Sequence, residues 1–209
     1  MKVVVISSPE EVADEVKIMT ALFKAGLERY HLRKPRFSTN KLRRLLNRVP
    51  VEYRDRIVIH SHHELCVPYK LAGIHITEHH RKRHYWQTWL LMKYLKLRRP
   101  QLEITAGFHT IGSLRTERFD YAYVFLSPVF DSISKIGYRS TFHEDSLQKV
   151  ISKSDYKVFA LGGVDEDKIE KAAGLGFYGV ALLGSIWKSD EPVEKFKRVQ
   201  HLCKSNVAT

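Results

Sequence analysis

Cysteines and long apolar runs are scarce in this chain of 209 residues. The two cysteines, Cys66 and Cys203, are too few for a disulfide framework and favour a reduced, cytoplasmic protein with two plain thiols. No apolar run reaches the roughly 18 residues that a membrane helix needs, so we expect no membrane partner. The short run from Val3 to Ile6 is closed by Ser7 and predicts a strand rather than a signal peptide.

Acidic residues are absent between Glu78 and Glu103, although that stretch holds seven lysines and arginines. The whole chain has a formal net charge of +12, from 35 basic and 23 acidic side chains. A balance of this sign suits nucleic acid, an anionic membrane or a phosphorylated small molecule. We interpret the basic stretch as a solvated helix face. Nucleic acid is not favoured as a partner, because no recognised binding motif accompanies the charge.

Linkers and low-complexity segments are also missing, and 44% apolar with 28% charged residues is a globular composition. Eight short runs, apolar nearly throughout like strands buried on both faces, alternate with amphipathic stretches. The runs are Val3 to Ile6, Tyr30 to Leu32, Ile57 to Ile59, Gly73 to Ile76, Ile104 to Phe108, Ala122 to Leu126, Val158 to Leu161 and Val180 to Leu183. The pattern predicts an α/β fold with one (β/α)8 TIM-barrel domain over residues 1–209. An open doubly wound sheet is the alternative.

Two of the amphipathic stretches lead to specific expectations about helices. Ser8 and Pro9 are typical of an N-cap and a first helical position, so we expect the first helix to begin there. The basic stretch carries an apolar stripe at helical spacing, which predicts one helix closed by Pro100. The stripe consists of Trp86, Trp89, Leu90, Tyr94 and Leu97.

Small residues follow the last two predicted strands. The active site of such a barrel lies at the C-terminal ends of its strands, and phosphate often binds after strands seven and eight. Gly162 and Gly163 follow the seventh strand, and Gly184 and Ser185 follow the eighth. Small side chains let backbone N–H groups approach an anion, so these pairs predict a phosphate site. The alternative is that the glycines only permit tight turns.

Three polar residues at other strand ends suit acid–base chemistry on an anionic substrate. His109 stands alone after the fifth strand, where an imidazole can transfer a proton near neutral pH. An inert histidine is the alternative at that position. Arg33 after the second strand and Lys135 after the sixth could complete a cationic pocket for phosphate or carboxylate.

Seven of the eleven histidines lie between His60 and His84. His60 and His62 are spaced to face one side of a strand, and such a pair can hold a divalent metal. A catalytic metal usually takes three protein ligands with supporting partners, whereas the only carboxylates near the cluster are Glu64 and Glu78. We therefore interpret these histidines as exposed or pocket-lining and expect no metal. A histidine-rich metal hydrolase stays open as a hypothesis.

Two motifs near the end of the predicted barrel resemble those of a known family. Residues 128–137 have the sequence PVFDSISKIG, which is similar to the family loop Pro-Val-Phe-x-Thr-x-Thr-Lys-x-Gly. Residues 160–164, ALGGV, resemble its Ala-Ile-Gly-Gly-Ile, and residues 30–33 resemble its second strand around a key arginine, here Arg33. The order of these motifs along the chain resembles that of the thiamin phosphate synthase and TenI superfamily, and the resemblance extends over nearly the whole chain.

The resemblance implies a barrel that binds a thiazole phosphate at its glycine-rich end. The synthase branch joins a pyrimidine pyrophosphate to that thiazole and needs Mg²⁺ held by carboxylates. Its Asn-Asp falls here at His60 and Ser61, its second aspartate at His80, its pyrophosphate-binding serine at Gly107 and its lysine at Pro35. Neutral imidazoles are poor ligands for Mg²⁺, so these departures count against the synthase.

TenI-like members also depart at the acidic positions and have a histidine that matches His31. Their activity is the isomerisation of a carboxylated thiazole phosphate to its aromatic tautomer, with the strand-five histidine moving the proton. The resemblance thus implies a tautomerase with a phosphorylated thiazole as its partner and no cofactor. The implied catalytic residues are His109, Arg33 and Lys135, and the implied substrate-binding residues are His31, Ser132, Ser134, Gly162, Gly163, Gly184 and Ser185. A Mg²⁺-dependent synthase and a non-catalytic binding protein are the alternatives, and the oligomeric state stays open.

Overall fold

The eight apolar runs form eight parallel strands in the computed structural model, which describes residues 1–117, 119–131 and 142–205. Neighbouring strands pair in sequence order, and β8 pairs with β1 to close the barrel. The strands are β1 (Lys2–Ile6), β2 (Arg29–Leu32), β3 (Ile57–Ile59), β4 (Gly73–Ile76), β5 (Glu103–Phe108), β6 (Tyr123–Leu126), β7 (Val158–Leu161) and β8 (Gly179–Leu182). The predicted (β/α)8 barrel is confirmed.

Helices connect the strands on the outside of the barrel. They are α1 (Glu15–Lys24), α2 (Thr39–Arg48), α3 (Glu78–Arg83), α4 (Tyr85–Arg98), α5 (Ile111–Thr116), α6 (Glu144–Ile151), α7 (Ile169–Gly174), α8 (Gly184–Trp187) and α9 (Pro192–Ser205), with 3-10 turns at Val51–Arg56, His63–Leu65 and Glu166–Lys168. The N-caps of α2, α3 and α5 are Ser38, Thr77 and Thr110. The hydroxyl oxygen of each accepts the backbone N–H three residues later. No helix of the described residues combines the length and the apolar character needed to cross a membrane.

The barrel interior is divided by residue type. Strands β1, β6, β7 and β8 fill one side with a mainly apolar cluster of Val4, Ile6, Tyr123, Phe125, Phe159 and Ala181. The other side, formed by β2 to β5, holds buried histidines together with Thr105. Alternate residues of a strand face the same side, so His31 shares the inward face of β2 with Arg29. Arg29 forms a two-pronged ion pair with Glu103, at 2.6 and 2.8 Å.

The first helix begins at Glu15 and not at Ser8, so the sequence-based expectation was wrong there. The reason is a buried lysine. The Lys34 ammonium group donates to the backbone carbonyls of Ser8 and Glu10, at 2.8 and 2.7 Å, and lies 2.5 Å from the Glu15 carboxylate. Because these two carbonyls accept hydrogen bonds from Lys34, the segment stays non-helical until Glu15.

The basic stretch forms two helices, α3 and α4, and the expected stripe does not pack on the barrel. The inward face of α4 is instead Thr88, Met92 and Leu95, while Trp86 and Leu97 are 71% and 81% exposed. Two hydrogen bonds fix the orientation of α4 on the barrel. The Thr88 hydroxyl donates to the His80 carbonyl, and the Arg99 guanidinium group donates to the Leu71 carbonyl. Since α4 is apolar on two faces, periodicity alone selected the wrong one.

Candidate active site

A cavity of about 750 Å³ opens at the C-terminal ends of the strands. Its wall includes most of the described residues that the sequence analysis selected, namely Arg33, His109, Gly162, Gly163, Gly184 and Ser185. The structure also adds His60, His75, Glu78 and Lys188 to the wall. Ser132, Ser134 and Lys135 lie outside the described residues. Clefts at this end of a barrel are the usual place for its chemistry.

His109 directly follows the last residue of β5 and is held by a backbone carbonyl. Its Nδ1 lies 3.0 Å from the carbonyl oxygen of Ser127, which follows β6. The Ser127 amide in turn donates to the Phe108 carbonyl, so the two strand ends are joined. A carbonyl only accepts, so Nδ1 carries the hydrogen and Nε2 keeps its lone pair in the neutral ring. The arrangement leaves Nε2 available to exchange a proton in the cavity.

Two cations in the cavity wall, Arg33 and Lys188, form no ion pair with any described residue. The backbone of Arg33 is fixed by Ser7, whose hydroxyl accepts from its amide at 2.7 Å and donates to its carbonyl at 2.9 Å. Both side chains are exposed at the cavity, where they can bind an anion. Lys188 was missed from the sequence, where a single lysine gives no sign that it lines a cavity.

Two further cations in the wall are already neutralised. Lys195 lies 2.6 Å from Asp165 and 3.1 Å from Glu166. The guanidinium group of Arg198 lies 2.9 Å from the same Glu166 carboxylate. Arg33 and Lys188 are therefore better placed than this network to hold a substrate anion.

The Gly162 and Gly163 pair is required by the path of the backbone. Their φ angles are +91° and +68°, in the left-handed region that favours glycine. A Cβ atom on Gly163 would lie 2.3 Å from the carbonyl oxygen of Asp131, and one on Gly162 would lie 2.9 Å from the Cα of Pro128. The pair thus lets the segment after β6 pack on the end of β7 and exposes backbone to the cavity. This accounts for the glycines as turn residues, and their phosphate role stays a prediction.

The short helix α8 begins at Gly184, at the end of the neighbouring strand β8. The hydroxyl oxygen of Ser185 is buried there and has no hydrogen-bond partner among the described residues. The indole Nε1 of Trp187 donates to the Ile6 carbonyl at 2.7 Å, which ties α8 to the end of β1. The helix that carries Ser185 is therefore tied to the barrel, with one polar group unused.

Three buried histidines meet at the base of the cavity. His31 Nδ1 lies 2.9 Å from His60 Nε2, and the rings of His60 and His75 stack with centroids 4.1 Å apart. His31 is fully buried and does not line the cavity, contrary to a direct role in substrate binding, whereas His60 and His75 do line it. The sequence alone does not bring these three together, because their meeting depends on the register of β2, β3 and β4.

Burial keeps these imidazoles neutral. It lowers the pKa of His31 to about 3, with a smaller effect from the nearby Arg29 charge. Burial also lowers the pKa of His60 and of His75 well below the ordinary value, and the neighbouring histidines add to the effect. Neutral rings keep lone pairs for accepting hydrogen bonds or binding a metal.

His62 does not share a strand face with His60, so the expected His60–His62 pair is absent. The strand ends at Ile59, and His62 has a left-handed backbone with φ +54°. Its ring nitrogens lie 2.9 Å from the Thr39 hydroxyl and 2.8 Å from the Phe37 carbonyl. These contacts tie the loop after β3 to the segment that precedes α2.

The described cavity does not fit a magnesium pyrophosphate site. The resemblance places Ser61 and His80 where the synthase has carboxylates and His60 where it has an asparagine, and His80 Nδ1 accepts the Thr77 amide at the start of α3. The carboxylates that line the cavity, Glu78 and Asp165, are each paired with a lysine, at 2.5 and 2.6 Å. Mg²⁺ needs hard oxygen ligands, and the available ones already have partners.

A comparison with family models decides the relationship of this chain. Residues 3–186 match TMP-TENI, the family described as thiamine monophosphate synthase. The chain belongs to this family. Membership of the TMP-TENI family confirms the resemblance seen in the motifs and connects the protein with thiamine biosynthesis. The relatives described next are named thiamine-phosphate synthase and thiamine phosphate pyrophosphorylase.

Three similar proteins match this chain over nearly their whole length. The chain is 21% identical over 199 residues to a thiamine-phosphate synthase of Methanococcus maripaludis, covering 93% of this chain and 91% of that protein. The crystal structure of a thiamine phosphate pyrophosphorylase from Bacteroides thetaiotaomicron is 29% identical, with a TM-score of 0.78 and 98% of each chain covered. The corresponding protein of Pyrococcus furiosus shares the fold, at 14% identity, a TM-score of 0.78 and coverage of 99% of this chain and 97% of that one.

Proposed function

We propose that this protein is a TenI-like isomerase that converts a carboxylated thiazole phosphate to its aromatic tautomer. The observation that carries the proposal is the placement of His109 at the mouth of the cavity, with Nδ1 fixed by the Ser127 carbonyl and Nε2 available. Its substrate is then a phosphorylated thiazole, and its partner is this small molecule rather than nucleic acid or membrane.

The reaction needs only a proton transfer. Nε2 of His109 takes a proton from one ring position of the bound thiazole and returns it at another, so the substrate is neither oxidised nor reduced. Fixing Nδ1–H on a carbonyl keeps the lone pair on the reacting nitrogen throughout. His109 therefore acts as both base and acid, and the cycle ends with the ring in its original state.

Anion binding in the same cavity supports the proposal. Arg33 and Lys188 are the unpaired cations of the described wall, and each suits a phosphate or carboxylate group. Gly162, Gly163 and Gly184 line the cavity without side chains, which suits the approach of a phosphate to their backbone, and the unpartnered hydroxyl of Ser185 can donate to it. By resemblance, Lys135, Ser132 and Ser134 would complete substrate binding. The proposed proton transfer requires no magnesium.

The second candidate is a thiamin phosphate synthase, and the names of the relatives favour it. The Bacteroides thetaiotaomicron protein, 29% identical over 98% of each chain, is called a thiamine phosphate pyrophosphorylase. That reaction must neutralise a departing pyrophosphate, which Mg²⁺ and its carboxylate ligands do. The histidines at 60 and 80 and the occupied carboxylates favour the isomerase instead.

Two assays on one preparation separate the candidates. In the first, the protein is given Mg²⁺, pyrimidine pyrophosphate and the aromatic thiazole phosphate, and thiamin phosphate is measured. In the second, it is given the non-aromatic carboxylated tautomer without Mg²⁺, and the aromatic product is followed by its ultraviolet absorption. We expect product in the second assay only. Product in the first alone would establish the synthase, and binding of the thiazole without product in either would indicate a silent binding protein.

Replacement of His109 by alanine is the sharpest test of its role. We expect the variant His109→Ala to lose about 10²- to 10⁴-fold in kcat, the usual contribution of a positioned acid–base group. Binding of the thiazole phosphate, measured by calorimetry, should change little because Arg33 and Lys188 remain. The matched control is His201→Ala, which removes an exposed histidine of α9. A His109→Ala variant with the turnover of the control would refute the assignment.

A further inference from the structure

We infer that His31, His60 and His75 form a binding site for one divalent transition-metal ion of the zinc type at the base of the cavity. One ring nitrogen of each histidine takes part, and the three nitrogens lie within 4.8 Å of one another. This inference does not rest on the proposed isomerase activity. It replaces the sequence-based expectation of a protein without metal.

The spacing of the nitrogens suits a single ion. A zinc–nitrogen bond is about 2.0–2.1 Å, so two ligands of a tetrahedral zinc lie roughly 3.3 Å apart. The 2.9 Å separation of His31 Nδ1 and His60 Nε2 and the 4.8 Å upper limit for the set bracket this value. Because the rings of His60 and His75 stack with centroids 4.1 Å apart, one of them must turn about its side-chain torsions to direct its lone pair at the ion.

The three ligands stand on rigid elements. His31 lies in β2 and His75 in β4, and His60 directly follows β3, with its amide bonded to the Leu32 carbonyl. Three adjacent strands therefore present the rings to one point. A site of this kind needs little ordering of the chain when the ion binds, which favours affinity.

Two of the ligands already have the outer partners that metal-bound histidines usually have. His75 Nδ1 lies 2.9 Å from the Thr105 hydroxyl, which itself donates to the Ile74 carbonyl and so must accept from the ring. That hydrogen bond leaves the lone pair on His75 Nε2, which faces Gly107. His31 Nε2 lies 2.6 Å from the Tyr123 hydroxyl, so its Nδ1 can serve as the ligand.

The hydrogen that joins His31 Nδ1 and His60 Nε2 is the group that an ion would replace. Binding moves this hydrogen to the other nitrogen of its own ring, and the imidazole stays neutral. Neutral imidazoles bind zinc, cobalt and copper ions well and magnesium poorly. The fourth position of a tetrahedral ion would lie toward the cavity, because His60 and His75 line it while His31 lies beneath. Water or an anionic oxygen of the cavity's ligand can fill that position.

Metal titration of the whole protein tests the inference. The protein is stripped with a chelator, dialysed, and titrated with Zn²⁺ by calorimetry and with Co²⁺ by visible absorption. We expect one equivalent of Zn²⁺, and with Co²⁺ the intense visible bands of a four-coordinate site. Zn²⁺ should also raise the unfolding temperature, since a preformed three-histidine site binds it more tightly than the unfolded chain does. No saturable binding, or only the weak pale spectrum of six-coordinate cobalt, would overturn the inference.

Variants locate the ion and guard against misfolding. His60→Asn should abolish Zn²⁺ binding, whereas Thr105→Val and Tyr123→Phe, which keep all three ligands, should weaken it about 10- to 100-fold. The control is the double variant His79→Gln/His84→Gln, which removes a second histidine pair with ring centroids 5.3 Å apart. It should bind Zn²⁺ as the wild type does. Loss of binding in the control alone would place the ion at α3 and refute the site proposed above.

Discussion

At the scale of single residues, the positions that could be predicted are those fixed by one strand end. His109, Arg33 and the glycines follow individual strands, and the structure places all of them in the cavity wall. The histidine cluster could not be predicted in the same way, because it depends on how β2, β3 and β4 are aligned. Lys188 was missed for a different reason. An isolated lysine after a short helix has no sequence pattern that separates it from a solvated one.

The glycine pair gives a prediction about stability. Gly163→Ala should lower the free energy of unfolding by about 2 kcal/mol or more, since alanine is strained at φ +68° and its Cβ would meet the Asp131 carbonyl oxygen. The matched control is Gly174→Ala at the end of α7, where a Cβ would meet nothing within 4 Å. That change should be neutral or slightly stabilising. Urea unfolding of both variants checks this, and equal midpoints would contradict it.

At the scale of secondary-structure elements, the strands were predictable and the orientation of the helices was less so. All eight strands begin and end within one residue of the predicted runs, because runs that are apolar on both faces suit only a covered parallel sheet. The start of α1 was predicted wrongly because the carbonyls of Ser8 and Glu10 accept hydrogen bonds from Lys34, which lies far along the chain. Tertiary contacts of this kind leave no local pattern.

The orientation of α4 yields a second prediction. Leu95 is 1% exposed and Leu97 is 81% exposed, although they are two residues apart in one helix. Leu95→Ala should therefore cost about 2–5 kcal/mol in the free energy of unfolding, through lost burial and a cavity. Leu97→Ala should change it by less than about 0.5 kcal/mol. Unfolding in urea measures both, and a larger loss for Leu97→Ala would mean that the predicted stripe faces the barrel after all.

At the scale of the whole molecule, the buried histidines link stability to pH. His31, His60, His63 and His75 are all buried, and burial lowers the pKa of each, to about 3 for His31 and about 4 for His63. An unfolded histidine titrates near 6.5, so between that value and the folded pKa only the unfolded chain binds the proton. Stability therefore rises with pH across this window and falls as the solution is acidified below about 6.5.

The expected slope is steep for the metal-free protein. Each buried histidine contributes up to about 1.4 kcal/mol per pH unit, so chelator-treated protein should unfold at distinctly lower urea at pH 5.5 than at pH 7.5. His31→Gln should flatten the dependence, whereas His201→Gln, at an exposed position, should leave it unchanged. An equal free energy of unfolding at the two pH values would contradict the lowered pKa of the buried histidines.

The bond between Trp187 and the end of β1 also gives the protein a built-in optical reporter. The chain has three tryptophans. Trp86 is largely in water on α4, while Trp187 lies on α8 beside the Ser185 loop with its indole N–H bonded to the Ile6 carbonyl. An anion that binds near Ser185 alters the surroundings of this one indole and leaves the α4 surface untouched. Emission from Trp187 can thus follow occupancy of the cavity in real time, without a label and without turnover.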